Sequence, residues 1–283
     1  MSNILAFATC DKGLIDLQEK KILSYPKIEN ESTNKNQFYS LDGEFLCYDI
    51  EVGNSVFIID KDIYLTFLPK TYLEEKNNII DYDKLKESSV KLNIEQYAFE
   101  RIASIIYAES SINKSVIKTE ELLSEMTAMA FILNKYPKTI AFGENSETAN
   151  KLNYSIAGDR NKNKRMKLAF KGLINALIDN EDLSNGATKW DGQEQSFFAD
   201  SENSQSVLLE TSRGTISIKL HMNIMGWTIL DEHYDKWKSN IGIKFKAPQE
   251  KYATVGSNKD KIRYESTAVY GLTIFWRIVN KKK

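Results

Sequence analysis

The spacing of apolar residues changes twice along this chain, and this constrains its fold more than any other feature. Between residues 94 and 178 the apolar positions recur with helical spacing. The first such set is Ala98, Ile102, Ile105 and Ile106. Over about 40–68 and after about 206, apolar residues occur at every second position, as in a strand with one buried face. A helical middle between strand-forming ends predicts an α+β protein.

Three helices are predicted in the middle of the chain. The first covers about residues 94–108, and the second begins with Thr119 as its N-cap and stops before Pro137. The third covers 164–178 and is followed by a glycine-containing loop over 180–192. We therefore assign residues 91–205 to a helical core.

Short apolar runs between turn signals predict strands on both sides of this core. A polar loop over 29–37 precedes the first runs, and Asp42-Gly43 and Gly53-Asn54 mark turns. The N-terminal runs are 44–50, 55–60 and 63–68. The C-terminal runs are 215–222, 241–246 and 266–279. These runs predict a β-rich segment over 1–90 and a β-rich, basic segment over 206–283 that packs back on the core.

The overall charge gives no indication of a general affinity for nucleic acid. The formal net charge is −1, with 38 Lys and Arg against 39 Asp and Glu, whereas nucleic-acid-binding proteins present a strongly basic face. From Arg213 to Lys283 there are fourteen basic and six acidic residues, which suits either a solvated surface or contact with an anionic polymer. We expect no nucleic-acid partner.

Composition also argues against a membrane span, a cofactor and a metal. No apolar stretch approaches the roughly 18 residues of a membrane helix. The two cysteines, Cys10 and Cys47, form no CxxC motif and are too few for a disulfide scaffold. The acidic run 231–235 contains His233 but no second histidine four residues later, so we interpret it as a solvated turn. No cofactor motif is present.

Glu109 interrupts the apolar pattern of the first helix. At 100° per residue it falls near the centre of the stripe formed by Ala98, Ile102, Ile105 and Ile106. It also lies where the helix is predicted to end, and both burial and the negative end of the helix dipole favour its protonated form. Such a carboxyl suits a general acid. Two alternatives stay open: the helix frays after Ile106, or Glu109 pairs with a cation.

The residues around Glu109 resemble a known motif. The segment Ile105-Ile106-Tyr107-Ala108-Glu109-Ser110 is similar to the (V/I)-Y-x-E-(A/S) segment of bacterial cell-wall hydrolases of the spore-cortex-lytic type and their lysozyme-like relatives. Residues 125–135 resemble the A-x-A-x-V-x-L-N-R helix that follows the catalytic Glu there, with Lys135 in place of Arg. Residues 185–192 resemble the glycine-alanine-aromatic loop that lines the sugar cleft. The likeness covers about residues 94–200.

This resemblance implies a lysozyme-like helical core that cleaves a β-1,4-glycosidic bond in peptidoglycan, with Glu109 as proton donor. A hydrolase also needs a second carboxylate, at about 5–5.5 Å if retaining and about 6.5–9.5 Å if inverting, whereas a lytic transglycosylase needs none. The candidates are Glu125, Asp191 and Glu194. Glu125 flanks the apolar face of its helix, where an exposed acid is the favoured interpretation, and Asp191-Gly192 also suits a turn.

Four side chains are candidates for binding the glycan. They are Tyr107, Thr188, Trp190 and Gln193. Aromatic faces stack on pyranose rings and polar side chains take sugar hydroxyls. For Trp190, packing in the core is an equal alternative.

The route to the cell wall gives a further expectation. The apolar run near the start, 4–8, follows no Lys or Arg and is shorter than that of a secretory signal. We therefore expect synthesis in the cytoplasm and delivery by a phage lysis programme or a contact-dependent secretion machine. The protein partner would then be an immunity protein or a component of the secretion apparatus. The competing hypothesis is a non-catalytic binding or structural component of a secretion apparatus or phage particle, which would work through the strand-rich ends.

Overall fold

A computed structural model describes residues 35–68, 80–111, 117–136, 163–179, 181–192, 204–211, 214–221, 228–241 and 263–279, the strands at 204–221 by their backbone alone. The described helices are α1 (Lys61–Leu65), α2 (Tyr82–Glu87), α3 (Gln96–Glu109), α4 (Thr119–Lys135), α5 (Lys164–Ile178) and α6 (Asp231–Ile241). The described strands are β1 (Lys35–Ser40), β2 (Phe45–Val52), β3 (Ser55–Ile59), β4 (Val90–Glu95), β5 (Lys189–Asp191), β6 (Ser204–Thr211), β7 (Gly214–His221), β8 (Arg263–Tyr270) and β9 (Thr273–Val279). Helices and sheets together confirm the α+β prediction.

The chain forms two compact units, each built from two stretches of sequence. Unit 1 consists of Met1–Glu109 and Ile140–Glu181, and unit 2 of Ser110–Thr139 and Asp182–Lys283. This grouping differs from the three consecutive segments expected above, whose boundaries stay a prediction. Glu109 is the last residue of its stretch of unit 1.

The sheet of unit 1 has the strand order β2-β1-β3-β4. Strand β1 pairs antiparallel with β2 and parallel with β3, and β3 pairs antiparallel with β4. The turn at Gly53-Asn54 therefore joins two strands that lie on opposite sides of β1. Successive side chains of β1 point to opposite faces, so both faces of this sheet can be buried.

Each face of the unit 1 sheet is covered by helices. On one face, Phe38 stacks on Phe57 at 5.0 Å between ring centroids, and the same cluster includes Tyr64 of α1 and Leu85 of α2. On the other face, the ring of Tyr39 lies 5.1 Å from that of Phe99 in α3 and 5.0 Å from that of Phe170 in α5. This packing fixes α3, the helix that carries Glu109.

All three predicted helices are present; one has the predicted bounds, and the starts of the other two are shifted. Helix α5 has the predicted bounds, and the side chain of Asn163 caps it by accepting hydrogen bonds from the amides of Arg165 and Met166. Helix α3 begins at Gln96 because Ile94 belongs to β4. In α4, Thr119 is the first helical residue and Lys118 is the N-cap, so the assignment of Thr119 as N-cap is wrong by one position.

The predicted strand at 63–68 is wrong, because its first residues belong to α1. The carboxylate of Asp60 accepts hydrogen bonds from the amides of Asp62 (2.8 Å) and Ile63 (3.2 Å). This cap satisfies amides that have no partner within a helix, and Tyr64 is then buried in the core. The cap outweighs the strand preference of the apolar side chains.

Unit 2 contains a three-stranded sheet with the order β5-β9-β8 and a separate pair, β6 and β7. The expected apolar run at 266–279 is a hairpin, with Gly271 and Leu272 between β8 and β9. The prediction of a solvated turn at 231–235 is wrong, because these residues form the first part of α6 and Tyr234 among them is buried. Ile241 ends α6, so a strand cannot begin there, and 242–246 lie outside the described residues.

Asp49 of β2 is a buried carboxylate held by a lysine in unit 1. The Nζ of Lys86 lies 2.7 Å from Oδ2 of Asp49, and Asn36 donates to the same oxygen at 3.0 Å. Burial raises the pKa of Asp49, but the hydrogen bonds from Lys86 and Asn36 outweigh burial and hold this pKa below its usual value.

We expect Asp49→Asn to lower the free energy of unfolding by about 2 kcal/mol near neutral pH, because Lys86 loses its buried partner. A lowered pKa contributes stability above the unfolded pKa of Asp, so the difference should shrink below about pH 4. Urea denaturation at several pH values measures it. Glu51→Gln is the control, since Glu51 binds the same Lys86 at 2.9 Å but is 64% exposed, and equal losses would contradict the prediction.

Candidate active site

Glu109 is the last residue of α3 and is half-buried. The predicted stripe before it is fully packed, since Ala98, Ile102, Ile105 and Ile106 are at most 2% exposed. The helix continues through Glu109, so the alternative in which it frays after Ile106 is wrong. The carboxyl group therefore lies at the carboxyl end of an otherwise buried helix, where the dipole is negative.

Tyr107 lies on the same helix and is half-buried. Its hydroxyl accepts a hydrogen bond from Nδ2 of Asn163 at 3.3 Å, and Asn163 is the residue that caps α5. Two residues before Glu109, the end of α3 is thus tied to the start of α5 within unit 1. A role of Tyr107 in binding glycan stays a prediction.

Glu125 of α4 is fully buried, so the expected exposed acid is wrong. Its Oε1 accepts hydrogen bonds from the amide of Ser111 (3.2 Å) and from the Ser111 hydroxyl (2.7 Å), and the hydroxyl of Thr273 donates to the same oxygen. The helical wheel placed Glu125 beside the apolar stripe, and the hairpin of unit 2 covers that side.

A further acid of α4 holds the same hairpin. One carboxylate oxygen of Glu121 accepts from the amide of Gly271 at 3.2 Å, and the other lies 3.1 Å from Nζ of Lys236 in α6. Glu121 and Glu125, which lie one helical turn apart on α4, therefore both contact the β8–β9 hairpin. Gly271, a glycine within a strand-forming run, is a weak sequence signal for this contact, whereas no sequence pattern indicates Ser111 or Thr273.

The loop expected to line the sugar cleft begins with a tight turn. Asp182 accepts hydrogen bonds from the amide and the hydroxyl of Ser184 and from the amide of Gly186. Asn185 and Gly186 both have positive φ, 51° and 79°, a conformation that Asn and Gly tolerate best. The Asn-Gly pair is therefore required by this turn whether or not a ligand binds.

A short strand, β5, follows that turn and carries two of the predicted residues. Trp190 pairs with Phe275 of β9 and is half-buried, and Asp191 pairs with Ile274. The amide of Thr188 donates to the carbonyl of Trp276 at 2.7 Å. The structure thus places Thr188, Trp190 and Asp191 along one edge of the unit 2 sheet, while Gln193 and Glu194 lie outside the described residues.

Asp191 belongs to a small group of charged and aromatic side chains. Its Oδ2 lies 3.7 Å from Nζ of Lys189, and its side chain is 11% exposed. The same ammonium lies 5.2 Å from the ring centroid of Tyr264, a cation–π distance. Burial, and secondarily the charge of Asp191, raises the pKa of the Tyr264 phenol.

The predicted site residues divide between the two units. Tyr107 and Glu109 belong to unit 1, whereas Glu125, Thr188, Trp190 and Asp191 belong to unit 2. The described contacts bring Thr188, Trp190 and Asp191 together on one sheet edge. They place Glu125 with Ser111 and Thr273 at the β8–β9 hairpin.

No group of three or more His, Cys, Asp or Glu side chains within the described residues is placed to hold a metal ion. His233 has its Nδ1 2.8 Å from Oγ of Ser266, and burial lowers the pKa of its imidazole. The acidic run at the start of α6 is therefore a helix terminus that packs on β8.

Among the helices in the described ranges, none is long and apolar enough to cross a bilayer. Comparison of the chain with protein-family models, with curated proteins and with solved structures finds no match.

Proposed function

We propose that this protein is a peptidoglycan-cleaving glycosidase with a lysozyme-like helical core, in which Glu109 is the general acid. One observation supports this more than any other. Glu109 is the last residue of α3 and is half-buried, and it follows a fully buried apolar stripe. It also lies within the segment that resembles the catalytic motif of cell-wall hydrolases.

The surroundings of Glu109 suit proton donation. A glycosidic oxygen leaves readily only when it is protonated, so the donor must keep its proton near neutral pH. Glu109 is half-buried at the carboxyl end of α3, where the helix dipole is negative, and we assign this proton to it.

For a hydrolase, Glu125 is a poor candidate for the second carboxylate. Glu125 is fully enclosed, and one of its oxygens already accepts three hydrogen bonds. Asp191 stays a candidate, but its side chain is only 11% exposed and, as the next residue of strand β5, it points to the face opposite that of Trp190. In a lytic transglycosylase the sugar's own hydroxyl would attack, and neither carboxylate would be needed.

Digestion of purified peptidoglycan sacculi tests the proposal. We expect the wild-type protein to release soluble muropeptides, and a preparation carrying Glu109→Gln serves as the blank. Reducing sugar ends in the product indicate hydrolysis, whereas anhydro-sugar ends indicate transglycosylation. Absence of release from acid to neutral pH would refute the enzyme and favour the binding class, for which the protein should still sediment with sacculi.

A further inference from the structure

Helices α3 and α5 of unit 1 lie side by side and run in opposite directions. The rings of Phe99, near the start of α3, and Phe170, in the middle of α5, stack with their centroids 5.3 Å apart. Tyr107, in the last turn of α3, contacts Asn163, the residue just before α5. The end of α3 therefore lies beside the start of α5, and both contacts belong to the unit that contains Glu109.

The apolar packing of α3 ends before the helix does. Ile105 and Ile106 are at most 1% exposed, whereas each of the residues 107–109 is half-buried. The last carbonyls of a helix have no partner within it, so a final turn frays readily unless other contacts hold it. Glu109 is the last residue of α3, so its position depends on this turn staying helical.

Asn163 uses both ends of its side-chain amide at this place. Its Oδ1 accepts hydrogen bonds from the amides of Arg165 (3.1 Å) and Met166 (3.2 Å) and so caps α5. Its Nδ2 donates to the hydroxyl of Tyr107 at 3.3 Å. Because the cap fixes the orientation of the amide group, Nδ2 is held where it reaches the last turn of α3. A serine would cap α5 equally well but has no amide hydrogen for Tyr107.

We infer that Asn163 is a positioning residue, which holds the last turn of α3 through the hydroxyl of Tyr107 and so keeps Glu109 in place for proton transfer. This inference rests on the proposed function. Proton transfer tolerates little displacement of the donor, since a misplacement of about 1 Å can cost about 100-fold in rate. One hydrogen bond stabilises the held state only modestly, so its loss should displace the helix end for part of the time.

Two variants remove this contact from opposite sides. Tyr107→Phe removes the hydroxyl and keeps the ring, and Asn163→Ser removes the amide and keeps a cap for α5. For each we expect kcat on sacculi to fall by about 3- to 10-fold, with KM changed less than about twofold. The double variant should fall no further than either single variant, because all three lose the same contact. Tyr97→Phe, a half-buried tyrosine near the start of the same helix, should keep wild-type values.

Amide hydrogen exchange supplies a readout that does not depend on activity. Protection of the Ala108 and Glu109 amides should fall about 3- to 10-fold in both single variants, while that of the Ile102 amide stays unchanged. Unchanged protection at the helix end overturns the inference. An inactive wild-type protein would refute the proposed function and the effect on kcat, whereas lower protection would still show that the contact holds the end of α3.

The kinetic constants separate positioning from direct contact with the glycan. A raised KM in Tyr107→Phe together with wild-type kcat and KM in Asn163→Ser overturns the inference, because that result indicates that the hydroxyl binds substrate. Additive losses in the double variant also overturn it, since the two side chains would then act independently. A lower kcat in both single variants, with no further loss in the double variant, supports it.

Discussion

Replacing Glu109 by Gln is expected to lower the turnover of sacculi on the order of 10³-fold, with little change in KM. The amide has the size of the carboxyl but no proton to give to the leaving oxygen. A general acid must be protonated to act, so wild-type activity should fall as pH rises through the pKa of Glu109. The residual activity of the Glu109→Gln variant should not show this decrease at high pH. Release of soluble muropeptides, measured across pH, checks both expectations.

Glu87→Gln is the matched control for that experiment. Glu87 is also the last residue of a helix in unit 1, α2, but it is exposed. The control should keep wild-type turnover and thermal stability. A Glu109→Gln protein within about tenfold of wild-type turnover would rule out Glu109 as the general acid.

The long helices could be predicted because many residues contribute to one periodic signal. Helix α5 has an apolar face over its full length and a capping Asn163, so its bounds match the prediction. Helix α1 has only five residues, and a single carboxylate, that of Asp60, decides its structure. Helix α6 buries few side chains, Tyr234 and Trp237 among them, so its sequence lacks a sustained stripe.

Strand β1 could not be predicted because its first residues are polar. The polar loop predicted over 29–37 is wrong for residues 35–37, which begin β1, and Gln37 is fully buried. Its amide donates to the carboxylate of Glu100 at 2.7 Å, and its carbonyl oxygen accepts from the Tyr39 hydroxyl at 2.9 Å. Such a buried polar pairing, 63 residues apart, leaves no local signal in the sequence.

The candidate site shows the same division between local and distant information. The position of Glu109 follows from helical periodicity alone, and the structure confirms it as the helix end. The burial of Glu125 depends on Thr273, which lies 148 residues away in the sequence. A helical wheel describes one helix by itself, so it cannot identify the hairpin that encloses this acid.

Gly43 lies in the turn between β1 and β2, with φ +77°. A Cβ at this position would lie 2.2 Å from the carbonyl oxygen of Lys167 and 2.5 Å from the amide nitrogen of Lys171, both in the backbone of α5. The flanking acids hold the turn against that helix, since Asp42 lies 2.6 Å from Nζ of Lys171 and Glu44 lies 3.2 Å from Nζ of Lys167. Glycine at this position therefore allows both the positive φ of the turn and the close contact between the turn and the backbone of α5.

Gly43→Ala is expected to lower the free energy of unfolding by about 3 kcal/mol, because the methyl group meets backbone atoms that cannot rotate away and the positive φ is strained. Urea denaturation measures the loss. Gly186→Ala separates the two causes, since Gly186 has nearly the same φ, +79°, but a Cβ there would have no atom within 4 Å. That control should lose only about 1 kcal/mol. Equal losses would mean that backbone strain alone accounts for Gly43, and that α5 can move away from the turn at little cost.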